Sequence, residues 1–419
     1  MRSSQISSVI GRMLVGLFLL AACARPHAAG AQPAFPGAPD ELSLNLRLYP
    51  LDTWSPRVGV GMGAGLVIHH LGRRHAQGLL TVAPARHEQV ATLAWASANP
   101  KRARRYVLVN ARGLHTNRDW FYGLGPRSSE GARQSIERSA LQMRVRAGRH
   151  FLNRRLLVQP HLGLSAHRVD RVPTPGASAL TPRSQRHLRQ LASEQIGPLS
   201  PTQTGLRIGV ELQYDTRSAT DPPSLGVILD AGWSRYVGVS SFLHYDRFEA
   251  GASGVFPLGG THRLVGHLSL AHVAARGRAA VPYYLRPTLD GPLVPGWAQH
   301  RFVDSDRLIG SLLYRFPIAQ PFGLAQLEGH LGAHAASVYD DVFADAALEV
   351  SFAESVSSGS STVPLRPAAS LGLHLNPTFR QTPSLDLALG VSPEGVTAVR
   401  FTLTRDLQAL RQPHHRIRR

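Results

Sequence analysis

The chain has 419 residues, 43% apolar and 17% charged, the make-up of a folded protein rather than a disordered one. A single cysteine excludes a disulfide scaffold and every cysteine-rich zinc site, and one short apolar run excludes a bundle of membrane-spanning helices. The formal charge of +19 comes from arginines spread along the chain, with Lys101 the only lysine, so anionic lipid or lipopolysaccharide is a better-fitting partner than nucleic acid.

Residues 1–31 contain no acid, and Arg2 and Arg12 precede the apolar stretch 13–22. A charged segment before an apolar run too short to span a membrane reads as an export signal. Two cuts compete. Ala29-Gly30-Ala31 before Gln32 suits ordinary signal peptidase, whereas Leu20-Ala21-Ala22-Cys23 resembles a lipobox in which Cys23 would be lipidated. Either cut sends the product out of the cytoplasm.

From Leu42 onward the pattern has period two, the signature of strands with one apolar and one polar face. Leu42, Leu44, Leu46 and Leu48 open the series, and Val58 to Leu66 alternate with Gly59, Gly61, Gly63 and Gly65. Leu141, Met143 and Val145 oppose Gln142, Arg144 and Arg146; Leu206, Ile208, Val210, Leu212 and Tyr214 oppose Arg207, Glu211 and Gln213. Leu327, Leu331 and Ala333 oppose Glu328, His330 and His334, and Val399, Phe401 and Leu403 close the series. Strands of roughly nine to eleven residues cross a bilayer when tilted, and a polar face of Arg, Glu, Gln and His suits a wet lumen better than a sandwich core. The expected fold is therefore all-β, a transmembrane antiparallel barrel of about sixteen strands with long extracellular loops. The domain plan is a signal at 1–31, a short segment at 32–41, a barrel at 42–407 and a basic tail at 408–419. The proline-rich connection 167–203 has room for a short helix around 184–194, and a serine-rich turn is expected at 354–363.

No G-x-S-x-G, P-loop, H-E-x-x-H or Cys-x-x-Cys motif occurs, so neither an enzyme nor a cofactor is expected. His69-His70 and His414-His415 lack the spacing of metal ligands, and no metal site is expected.

Four segments carry a resemblance. They are Phe121-Tyr122-Gly123-Leu124-Gly125, then Tyr214-Asp215-Thr216-Arg217 leading to Gly226, then Arg301-Phe302-Val303-Asp304 leading to Tyr314-Arg315, and Gly390 to Gly395. In order and spacing these resemble the barrel of the BamA/TamA group, the bacterial surface antigen family, over roughly residues 50 to 407. The resemblance implies an outer-membrane barrel of a Gram-negative bacterium, structural or related to translocation and assembly, with other outer-membrane or periplasmic proteins as partners. It also implies that the loop tip Pro295-Gly296-Trp297 occupies the position of the family's lumen-inserted R-G-F/Y tip. Here the departures begin. Pro295 stands where the family has an arginine, Leu313 where it has a glutamate and Leu407 where it has an aromatic, and no periplasmic POTRA domain fits between the ordinary cut and Leu42. For Trp297 an interfacial or loop-packing role competes with a plug inside the lumen, and Asp215 with Arg217 reads as a strand-end turn held by charge-assisted hydrogen bonds. Two rival functions remain: a passive pore for small solutes, and a lipid-anchored periplasmic binding protein.

Overall fold

The computed structural model describes residues 43–50, 62–69, 76–98, 103–171, 180–193, 203–217, 225–239, 242–276, 279–289, 294–298, 300–320, 325–351, 363–377 and 384–404. The expected lipidation residue Cys23, both processing sites, the start at Leu42, most of the serine-rich turn and the basic tail lie outside the described residues. The first half supplies β1 (Ser43–Pro50), β2 (Met62–His69), β3 (Gln77–Pro84), β4 (Glu88–Ala96), β5 (Arg105–Phe121), β6 (Gln134–Phe151), β7 (Leu156–Arg171) and β8 (Gln203–Asp215). The second half supplies β9 (Gly226–Gly238), β10 (His244–Gly259), β11 (His262–Ala275), β12 (Thr288–Leu289), β13 (Phe302–Val303), β14 (Asp306–Ala319), β15 (Ala325–Tyr339), β16 (Ala346–Val350), β17 (Val363–Pro377), β18 (Ser384–Ser392) and β19 (Gly395–Thr404). Helix α1 (Pro182–Ser193) falls in the connection where a short helix was expected, and α2 is the single turn Val342–Asp345.

Sixteen of these strands pair antiparallel with their neighbours in chain order, from β1 through β11, then β14, β15, β17, β18 and β19. Short β16 runs parallel beside β17, while β12 and β13 form a separate two-stranded ribbon. The sheet curls into a barrel wall: Arg366 on β17 donates to the Pro126 carbonyl after β5, 2.6 Å away, although these strands are far apart in sheet order.

Alternation assigns the two faces. On β8, Ile208, Leu212 and Tyr214 are exposed, whereas Gln203, Glu211 and Gln213 are buried. The outward face continues through Leu164, Leu229, Leu268, Leu312 and Leu371, an apolar belt far wider than a water-soluble surface carries. Among the described residues no helix is long and apolar enough to cross a membrane. On the inner face aromatic rings close over glycines, which pins the strand register. A Cβ at Gly148 would lie 2.2 Å from the Tyr106 ring, and one at Gly205 would lie 2.1 Å from Tyr236.

Two features differ from expectation. The strands are longer than a bilayer needs, reaching 17 residues in β5 and 18 in β6. Their extra length projects at the end with the long connections, where Phe121, Ile136 and Arg138 pack against the loops that cover the lumen. The alternation is also interrupted on the loop side of β5, at a bulge between Thr116 and Asp119, which moves Asp119 and Phe121 onto the inner face opposite Ile136 and Gln134.

Candidate functional site

The connection between β11 and β14 crosses the mouth of the barrel as a strap and drops its tip inside. Tyr283 begins it, packed on Phe121 at 4.9 Å between ring centroids, and Tyr284 donates its hydroxyl to Gln203. Val294 and Trp297 form the tip. Trp297 is 1% exposed and packs against Phe302 of β13 and among Ile309, Ala336, Val338 and Ala368 of the inner wall. Gly296 has φ +116 and lies against β18 so closely that a Cβ on Gly390 would sit 2.2 Å from its nitrogen. A side chain at either glycine would separate strap from wall. Pro295 brings no charge to this contact, so the tip is held by shape and apolar burial rather than by an ion pair.

Charge enters instead at three carboxylates above the tip. Asp304, fully buried, accepts both Nη atoms of Arg183 on α1 at 2.8 and 2.9 Å, and Arg286 Nη1 at 3.3 Å. Arg301 grips Glu394 of the β18–β19 hairpin through Nε at 2.8 Å and Nη2 at 2.5 Å, while its Nη1 donates to the Ser128 carbonyl and hydroxyl. Asp119 accepts from Arg138 Nε at 2.9 Å and from the Tyr283 hydroxyl at 3.0 Å. Forked guanidinium–carboxylate pairs of this kind fix both distance and plane. Arg301 and Arg366 also lie over the Phe302 ring, at 4.3 and 4.4 Å, which clamps the start of β13 between two cations.

The Phe121–Gly125 segment is the platform for this strap. Tyr122 is 1% exposed with Arg301 over its ring, and burial raises its hydroxyl pKa against the pull of Arg133 and Arg301. Gly123 and Gly125 take φ +112 and +92, and the Gly125 N–H donates to the Val303 carbonyl at 2.9 Å. Helix α1 closes the platform. The Ser184 hydroxyl accepts from the Leu124 N–H, and the His187 Nε2 accepts from the Tyr283 N–H at 3.2 Å. Burial pushes His187 down to about 3, with Arg286 and Arg183 adding to the effect, so the ring is neutral and able to accept. Burial, reinforced by Asp119, raises Tyr283 well above the ordinary phenol range.

Phe121, Tyr122, Gly123, Gly125, Pro295, Gly296, Trp297, Arg301, Phe302 and Asp304 therefore meet in one place. Asp215, Arg217 and Gly226 do not. They make a turn at the opposite end of the wall, where Arg217 Nε and Nη2 hold the Asp215 carboxylate at 3.1 and 3.0 Å and Gly226 has φ +127. Tyr314 and Arg315 lie along β14 away from the strap, and the Tyr314 ring stacks on His262. The anchors Arg183, Arg286, Arg138 and Asp119 escaped sequence reasoning, while Glu394 lay in the Gly390–Gly395 segment without a role assigned to it. Acids are scarce, 27 against 46 basic residues, so each acid beside a loop was a signal worth following. Among the described residues no cluster has the composition of a metal site.

No family model and no curated protein matches the chain. Solved structures do. BamA from Haemophilus ducreyi lacking POTRA domains 1–3 superposes with a TM-score of 0.57 at 13% identity, over 86% of this chain and 69% of that one. CdiB from Escherichia coli superposes with a TM-score of 0.51 at 10% identity, over 88% of this chain and 62% of that one. The fold is that of the BamA and CdiB outer-membrane barrels. At such identities the likeness establishes architecture alone.

Proposed function

We propose that this chain is an outer-membrane barrel of a Gram-negative bacterium whose role is in assembly or translocation rather than free diffusion of solutes. The observation that carries the reading is the strap: its tip packs backbone to backbone on β18, and three carboxylate nodes tie it to the end of β5, to helix α1 and to the β18–β19 hairpin. Such anchorage holds the long-loop mouth covered, which suits a barrel that works through its wall and its partners. Lipopolysaccharide and neighbouring outer-membrane or periplasmic proteins are the partners this reading implies, and no enzymatic step is part of it.

Depletion of the protein in its host is the test. Lower amounts of other outer-membrane barrels, or of an exported partner, are expected; unchanged levels of both would sink the reading. A passive pore is favoured by a separate observation, the polar inner wall of β6 to β10, and it predicts steady single-channel conductance from the intact protein. The strapped reading predicts almost none until residues 286–300 are removed. Palmitate labelling that disappears in Cys23→Ala would add a lipid anchor to either version.

A further inference from the structure

Below the strap the inner wall carries a second arrangement of charge that the barrel role leaves unused. Two cross-strand rows lie side by side on the inner face. One runs Arg146–His161–Gly209–Ser234 across β6 to β9, and the other runs Arg144–Gly163–Arg207–Tyr236. Gly163 sits between the second row's arginines, where a Cβ would come within 3.0 Å of the Met143 carbonyl oxygen and 3.8 Å of the Arg144 Cγ and the Arg207 Cβ. Glu211 is the acid of this patch. It stands 3.8 Å from Arg144 Nη1, 3.8 Å from Arg146 Nε and 3.7 Å from His161 Nδ1, beyond hydrogen-bond reach of all three. The neighbouring Glu249 is gripped by Arg247 at 2.5 and 3.0 Å. Arg207 donates to the Tyr245 hydroxyl, a neutral acceptor.

Three guanidinium charges thus face one carboxylate, a surplus of two. Arg146 is 5% exposed, yet its Nε and Nη1 have no hydrogen-bond acceptor in the protein, and neither ring nitrogen of buried His161 has a hydrogen-bond partner. Buried donors are almost always satisfied, and a buried surplus of like charge is costly unless an ion of opposite sign balances it. Arg144 keeps 28% of its side chain exposed, so the patch opens to the lumen. A phosphate monoester fits what is missing: close to two negative charges at neutral pH and three acceptor oxygens for planar guanidinium forks.

We propose that Arg144, Arg146 and Arg207, with His161, form a lumen binding site for a phosphate group, carried either by lipopolysaccharide or by a small soluble phosphate. The inference rests on the barrel fold and not on the assembly role, so either can fail without the other.

The test is calorimetric titration of the whole folded protein in detergent with inorganic phosphate, against chloride at matched ionic strength. Saturable binding is expected. Arg144→Gln and Arg207→Gln should each weaken it about tenfold or more, the loss of a charge-assisted hydrogen bond. Glu211→Gln should tighten it, because a competing carboxylate is gone; this variant keeps the test alive where an arginine variant does not fold. Migration with and without boiling checks the fold of every variant. No phosphate binding beyond chloride by the intact protein, or affinity unmoved by all three substitutions, would overturn the site. Competition by intact but not dephosphorylated lipopolysaccharide identifies the lipid source, and saturable phosphate binding without that competition identifies a soluble one.

Discussion

The loop-end cap and the mid-lumen wall are built from the same residue types and solve opposite problems. In the cap, Asp304, Glu394 and Asp119 each meet arginine at hydrogen-bonding distance, and the result is a fixed closure. In the wall, Arg144 and Arg146 stand 3.8 Å from Glu211 and Arg207 turns to a tyrosine, and the result is a surface with donors to spare. Charge density alone does not distinguish structure from binding; the ratio of cations to carboxylates and the distance between them does.

That contrast is open to attack, most severely at Arg301. Arg301→Ala strips Glu394 of its guanidinium fork and opens the clamp on Phe302, and breaking a buried pair costs about 3–5 kcal/mol. The expected outcome is a large fall in thermal midpoint; a fall no greater than that of Arg144→Gln would erase the distinction between cap and wall. Acid should act next. The unfolded chain protonates His187 below about 6.5, whereas the folded chain resists until about 3, so stability rises with pH across that window and is lost on acidification. At pH 4 the penalty is on the order of 3 kcal/mol. It should show as faster amide exchange at Tyr283 and along α1 near pH 4, and His187→Gln should flatten it.

Gly390→Ala is a smaller and more local change. The new methyl collides with the Gly296 backbone, and overpacking costs about 1–3 kcal/mol. The tip is expected to lift while the wall stays folded, read as new conductance without loss of heat-resistant migration. Arg144→Gln is the smallest. Removing one of several like charges should alter stability by less than about 1 kcal/mol, in contrast to the cap, and a midpoint drop of the Arg301→Ala size would show that the wall arginines are structural.

Much of the barrel was readable from alternation alone, because a strand with lipid outside and polar groups inside writes its period into every second residue. Leu206 to Tyr214 against Arg207 to Gln213 is the clearest case, and β8 lies as that pattern dictates. The bulge after Thr116 was not readable, since one extra residue inverts the faces without changing composition. Nor were the cap's pairs. Arg301 and Glu394 are 93 residues apart, and Arg183 and Asp304 are 121 apart, so only the curled wall brings them together. The tip was legible as a position, but its grip was not, because Gly296 on Gly390 is a contact between two residues with no side chain to announce it.

The bond from Arg366 to the Pro126 carbonyl spans 240 positions of sequence. Hairpins between adjacent strands form locally and quickly, but this bond and the Arg301–Glu394 fork wait until the whole wall has curled. The entropy of closing so long a loop rises only with the logarithm of its length, so the native state tolerates it well. The rate does not escape so easily, because non-local contacts give no return until late in folding. The β18–β19 hairpin carries Glu394 and must be in place before the strap can lock through Arg301.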